Sequence, residues 1–115
     1  MPKCVSRPET LFSALGDPTR MTVIKALCQG PQSVSALAKG HSMSLPSFMQ
    51  HLGLLERSGW IATQKEGRVR NCRVNPEALQ AAGHWLLRQK AVWEGRLNRL
   101  DALANQLRKE TEKHV

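Results

Sequence analysis

Apolar side chains recur along this chain with two rhythms, one helical and one alternating. In ETLFSALG, residues 9–16, Leu11, Phe12 and Leu15 fall on one side of a short helix that Gly16 stops. Asp17 then caps a second helix and Pro18 opens it. Within it Met21, Ile24, Leu27 and Cys28 recur at helical spacing until Gly30-Pro31 ends the run, which makes Cys28 a small core residue. A third, short helix passes through Val34, Leu37 and Ala38, capped by Gln32 or Ser33 and broken by Gly40. A fourth covers about residues 44–58. Ser44 caps it, Pro46 is tolerated in its first turn, and Phe48, Leu52 and Leu55 stand at i, i+4 and i+7 before Gly59 ends it.

After Gly59 the rhythm changes. WIATQKEGRVRNCRV, residues 60–74, starts apolar, turns polar at Glu66-Gly67 and then alternates, with Cys72 and Val74 on one side and Asn71 and Arg73 on the other. That pattern predicts a β-hairpin with Cys72 facing inward. Asn75 and Pro76 then start a long helix that runs to about residue 109 with only Gly83 and Gly95 to weaken it. Leu79, Leu86, Trp93, Leu97, Leu100, Leu103 and Leu107 line it, heptad-like from Trp93 onward. A chain of 115 residues is one domain with a modest core, too small to cover such a stripe alone, so a second copy is expected to cover it. The fold class is therefore mainly α with a β-hairpin: a helix-turn-helix, a wing over about 60–74 and a long dimerisation helix over about 76–109, all within a single domain spanning 1–115.

The fourth helix raises the question of function. Its face opposite the apolar stripe carries Ser47, Gln50, Leu54 and Arg57, and neither Asp nor Glu occurs from Ser42 to Leu55. A face that meets a polyanion should be small, hydrogen-bonding and free of carboxylates. The charge balance agrees: 17 Lys and Arg against 9 Asp and Glu leave the chain at +8, which favours a nucleic acid as partner over an acidic membrane. No apolar run is long enough to span a bilayer and the N-terminus lacks the apolar stretch of a signal peptide, so a cytoplasmic location is expected.

Three stretches, LFSALGDPTRMTVIKAL, VSALAKGHSMSLPSFMQHLGLLERSGWI and KEGRVRNCRVNPEAL, together resemble the ArsR/SmtB family of bacterial winged helix-turn-helix repressors over roughly residues 9–80. The resemblance implies that the fourth helix is the recognition helix and that Ser44, Ser47, Met49, Gln50 and His51 lie at or near double-stranded DNA. Gln50 can pair bidentately with adenine, Ser47 can reach a base edge or a phosphate, and Met49, where relatives carry a small polar residue, can touch a thymine methyl. Arg57 flanks that helix, as does Lys39, and Lys65, Arg68 and Arg70 sit on the wing, all as expected phosphate contacts. The first and last helices are expected to form a homodimer interface that includes Leu11, Leu15, Trp93, Leu97 and Leu100.

The chemistry of effectors is less marked. Where metal-sensing relatives carry a cysteine pair this chain has Ser33 and Ser35, and serine does not replace thiolate for soft metals, so no metal site is expected. Nor is any cofactor implied, and no nucleophile–base arrangement or glycine-rich phosphate loop suggests an enzyme. Cys4, near Lys3 and Arg7, is the one thiol with a plausible redox role. Two alternatives to a specific repressor stay open: a non-specific, nucleoid-type nucleic-acid-binding protein, and a thiol-redox-sensing repressor using Cys4. The inducer is unassigned.

Overall fold

The computed structural model describes residues 7–113, with side chains to Thr111. Cys4 lies outside the described residues. In chain order the elements are α1 (Pro8–Ala14), α2 (Pro18–Leu27), β1 (Gln32–Ser33), α3 (Val34–Lys39), α4 (Leu45–Arg57), β2 (Ile61–Glu66), β3 (Val69–Val74) and α5 (Pro76–Lys113). They form two compact units, residues 7–82 and residues 83–113, and α5 runs through both.

The helices of the first unit start where the capping residues say they should. Asp17 accepts from the backbone N–H of Arg20 at 3.0 Å, Ser33 from Ala36 at 3.1 Å and Ser44 from Ser47 at 3.3 Å, each filling one of the orphan donors of a helix N-terminus. α4 ends in a Schellman turn: the Gly59 N–H donates to Glu56 O at 3.1 Å and the Trp60 N–H to Leu55 O at 2.9 Å. The turn needs Gly59 at φ 95°, in the left-handed region where a Cβ is unfavourable. It drops Trp60 into the core, where the indole is 1% exposed and its Nε1–H donates to the Leu11 carbonyl at 2.7 Å.

Asn75 closes the same corner from the other side. Its backbone N–H donates to Trp60 O at 2.7 Å and its side-chain amide to Gly59 O at 3.0 Å, while its Oδ1 accepts from the Glu77 N–H at the start of α5. The end of α4, the base of the wing, α1 and the first turn of α5 thus share one hydrogen-bonded junction. Around it pack Leu11, Val23, Leu27, Phe48, Leu55 and Cys72, all fully buried.

β2 and β3 pair antiparallel with Ile61 opposite Val74 and Glu66 opposite Val69, which leaves Gly67 and Arg68 as a two-residue loop. Only Gly67 has a positive φ, 63°, the signature of a turn with glycine at its first central position. The hairpin and its inward-facing Cys72 match the alternation in the sequence. β1, pairing Gln32 with Cys72 and Ser33 with Asn71, does not appear in the pattern. It is two residues long and its partner lies some forty residues away, so no local periodicity announces it.

Two sequence-based expectations fail in the packing. Cys28 is exposed rather than a core residue, because α2 buries Val23, Ile24 and Leu27 and the next position turns outward. Leu11, expected at a dimer interface, is 0% exposed: its own chain covers it completely, leaving no surface for a partner. The described part of the second unit is helix alone, and Leu86, Leu87, Val92, Trp93, Leu97, Leu100, Leu103 and Leu107 are all exposed on it. Among the described residues no helix is long and apolar enough to cross a membrane.

The junction yields an order of stabilities. Trp60→Ala should cost about 3–5 kcal/mol, the range for truncating a buried aromatic, and Gly59→Ala about 1–2 kcal/mol from forcing a Cβ into the left-handed region. Urea denaturation at fixed protein concentration tests both; a Gly59→Ala protein as stable as wild type would show that the turn tolerates a side chain.

Candidate nucleic-acid interface

α4 separates two faces by the helical period alone. Phe48, Leu52 and Leu55 are buried, and the turns between them send Leu45, Pro46, Met49, Gln50 and Arg57 to solvent. No side chain between Ser42 and Leu55 is acidic. The first turn is polar but already engaged: the Ser44 hydroxyl donates to Ser47 Oγ at 3.0 Å while Ser44 Oγ also accepts the Ser47 N–H. Gln50, one turn on, is exposed, and no side-chain hydrogen bond of its amide is recorded among the described residues. Gly53 leaves room that the Arg57 side chain fills, since a Cβ built there would lie 3.1 Å from Arg57 Nη1.

The wing carries the cations expected of it. Lys65 and Arg70 stand directly opposite one another, and Arg68 occupies the loop; all three are exposed. Like charges facing across two strands oppose pairing of those strands, so this arrangement weakens the wing unless an anion sits against it. Lys65 and Arg70 share the ribbon face of Ile61 and Cys72, whose base packs into the core and whose tip projects beyond it. Cys72 itself is a core group: burial pushes its thiol above the ordinary value, the Glu56 carboxylate adds to this, and Arg70 partly opposes it. Such a thiol is inert.

His51 behaves differently from the rest of the predicted set. It is partly buried, with Nδ1 3.0 Å from Arg20 Nη1 and 3.6 Å from Asp17 Oδ2. Arg20 also donates through Nε to the Ala14 carbonyl at the end of α1. One guanidinium therefore joins the last turn of α1 and the first turn of α2 to the middle of α4. Asp17 belongs to the same cluster. Its carboxyl is held below the ordinary carboxylate value chiefly by the Arg20 backbone N–H, burial working the other way, with the His51 and Arg20 charges adding to the lowering. Sequence reasoning identifies Asp17 as a cap and leaves His51 between a phosphate contact and packing within the turn. It does not connect either to Arg20, because the partners are 31 residues apart and no periodicity links them.

The residues expected at a dimer interface are divided between the two units. Leu15 is partly buried at the edge of the core, and Trp93, Leu97 and Leu100 are exposed on α5 within the second unit. Among the described residues no three His, Cys, Asp or Glu side chains converge on a point that could hold a metal ion.

A helix-turn-helix of α3 and α4 followed by an antiparallel wing defines the winged helix-turn-helix class. The comparisons place it more narrowly. A crystal structure of an ArsR family transcriptional regulator is 50% identical, covers 75% of this chain and 94% of its own, and superposes with a TM-score of 0.71. The transcriptional repressor SdpR of Bacillus subtilis is 29% identical over 77 residues, 67% of this chain and 86% of its own length. The homodimeric winged helix-turn-helix DNA-binding domain of Mb0332 from Mycobacterium bovis, a possible ArsR-family regulator solved in solution, is 25% identical with a TM-score of 0.57, covering 76% of this chain and 79% of its own. No protein-family profile matches the chain. The chain belongs to the ArsR family of transcriptional regulators.

The cluster behind α4 is open to a direct test. Arg20→Ala and His51→Ala should each destabilise the fold, and the pair should do so by at least about 0.5 kcal/mol less than the sum, the mark of two groups in contact. Additive losses would mean that the guanidinium and the imidazole do not act together. The Asp17 cap has its own pH signature. A carboxyl with a lowered pKa in the fold contributes stability that is fully present above the ordinary carboxylate range and is lost as pH falls through the lowered value. Asp17→Ala should therefore be less stable than wild type at pH 7, and thermal melts should show the gap closing in acid.

Proposed function

We propose that this protein is a sequence-specific DNA-binding transcriptional repressor that acts as a homodimer. The observation that carries the reading is the face of α4: an exposed helix surface without a carboxylate from its cap to Leu55, presenting Gln50 and, in its last turn, Arg57, beside a wing that carries Lys65 opposite Arg70 and Arg68 at its tip. A major groove accepts one α-helix, and a cationic ribbon tip beside it suits the adjoining backbone or minor groove. Gln50 is the base-reading amide, and Arg57, Lys65, Arg68 and Arg70 supply phosphate contacts that set orientation. Ser47 keeps a hydroxyl proton for a phosphate or base edge. Ser44 acts mainly as the cap that fixes the first turn, and His51 as the link that holds the helix at its angle.

Dimerisation follows from the apolar residues of α5. Trp93, with 58% of its surface exposed, Leu97 and Leu100 at 55% recur at four- and three-residue steps, the seam a second helix covers. Leu15, at the C-cap of α1, keeps surface for that contact; Leu11 has none. Two copies of α4 related by a twofold axis would meet successive major grooves, so the operator should be an imperfect inverted repeat with half-sites about one helical turn apart. A dimer seated there would repress by blocking polymerase.

Selection from random DNA followed by footprinting tests this directly. A preferred inverted repeat that survives excess bulk DNA is expected; salt-sensitive binding with no preferred site would leave only a nucleoid-type protein. On the selected site, Gln50→Ala should cost about 1–3 kcal/mol and relax one base position. Arg68→Ala or Arg70→Ala should weaken all sequences alike and lower the log–log salt slope by about one. Zinc, cadmium or a chelator should leave affinity unchanged, and Leu100→Glu should shift sedimentation toward the monomer and weaken binding.

A further inference from the structure

Hydrogen-bonding readers are scarce on the exposed face of α4. Ser44 Oγ gives its proton to Ser47 and accepts the Ser47 N–H, so the Ser47 hydroxyl is the one serine side-chain donor the first turn keeps for a ligand. Pro46 offers neither a donor nor a polar side chain. Beside Gln50 and at the helix start the exposed surface is apolar: Met49, 36% exposed, flanks the Phe48, Leu52 and Leu55 stripe, and Leu45, 58% exposed and one helical turn before Met49, stands at the N-terminal end of that stripe, beyond the core. Neither belongs to the buried core or to the apolar residues packed against it.

The surroundings decide what such a pair could meet. The helix carries no carboxylate from Ser42 to Leu55, the whole chain stands at +8, and Lys65, Arg68 and Arg70 are exposed on the wing. That setting draws a polyanion rather than an apolar protein surface or a neutral bilayer. Of the four bases only thymine presents an apolar group, its 5-methyl, to the major groove. Neighbouring side chains at i and i+4 stand about 5–6 Å apart, more than the axial rise of about 3.4 Å per base along a strand and less than two such rises, so the pair suits neighbouring bases.

Resting on the reading of α4 as the helix that enters the groove, we propose that Leu45 and Met49 are specificity-determining residues that read the 5-methyl groups of two successive thymines in each half-site. The sequence preference of this protein then comes from apolar contact as much as from Gln50. The resemblance already sets Met49 near DNA; what the pattern hides is Leu45, since a leucine one turn before Phe48 is ordinarily a core residue and only its exposure separates it.

Deoxyuridine differs from thymidine only in lacking that methyl, so it isolates the contact. On the operator obtained by selection, replacing each half-site thymine by deoxyuridine one position at a time should weaken wild type about four-fold at two adjacent positions, the ratio that burial of one methyl-sized group gives. Leu45→Ala should abolish the difference at one of them and Met49→Ala at the other, while Gln50→Ala leaves both intact. Both variants alter exposed positions, and unchanged thermal melting confirms that they fold. A specific operator without adjacent thymines, or thymine and deoxyuridine operators bound equally by wild type, overturns the proposal, as does an undiminished difference in both alanine variants. Failure to select any operator would instead overturn the reading of the protein as a specific regulator.

Discussion

The turn at Gly59-Trp60 is the constraint on which the first unit depends. α4 must stop there and reverse into β2 while its last carbonyls find partners, and the Schellman bonds give partners to Leu55 and Glu56. Its consequence is the burial of Trp60, whose indole N–H reaches Leu11 across 49 residues of chain. Asn75 then ties the end of β3 and the start of α5 to the carbonyls of Gly59 and Trp60. α4, the wing and the first turn of α5 are placed relative to α1 by this one corner, so a shift there would move every surface residue of the unit's candidate interface.

A second tether works on the other side of α4. Arg20 connects Ala14, the N-terminus of α2 and His51, and thereby fixes the rotation of the helix about its own axis. Rotation decides which residues face outward. The buried stripe of Phe48, Leu52 and Leu55 sets it to within the tolerance of packing, and the polar link at His51 narrows it further. A residue that resembles a DNA contact by position thus serves the geometry of its neighbours. The same cluster explains how a helix can present an outer face poor in charge: its orientation rests on the buried and half-buried sides, leaving the outer side free for a ligand.

The wing illustrates a local cost to stability set against a use. Lys65 opposite Arg70 disfavours the hairpin, while Asn71 donates to Glu66 at 3.3 Å and Thr63 donates to Glu56, holding the ribbon from its other positions. The tip turn requires only that Gly67 supply a positive φ, so the arginine beside it is free to point outward.

Much of this was legible in the chain itself. The caps at Asp17, Ser33 and Ser44, the stops at Gly16, Gly40 and Gly59, the change from helical to alternating rhythm, and the apolar stripe of α5 all act within a few residues, and local signals specify local structure. So the order of the helices and the hairpin, the winged helix-turn-helix class and the location of the candidate interface follow from sequence. Tertiary structure decided what depends on pairs far apart: β1 against β3, the full burial of Leu11, the outward turn of Cys28, the engagement of His51 by Arg20, and the exposure of Leu45 and Met49. In each case the residue type is compatible with two environments, and the choice is made by which side chains from other elements arrive to cover it. Periodicity identifies a face, but only the assembled core determines whether that face is covered.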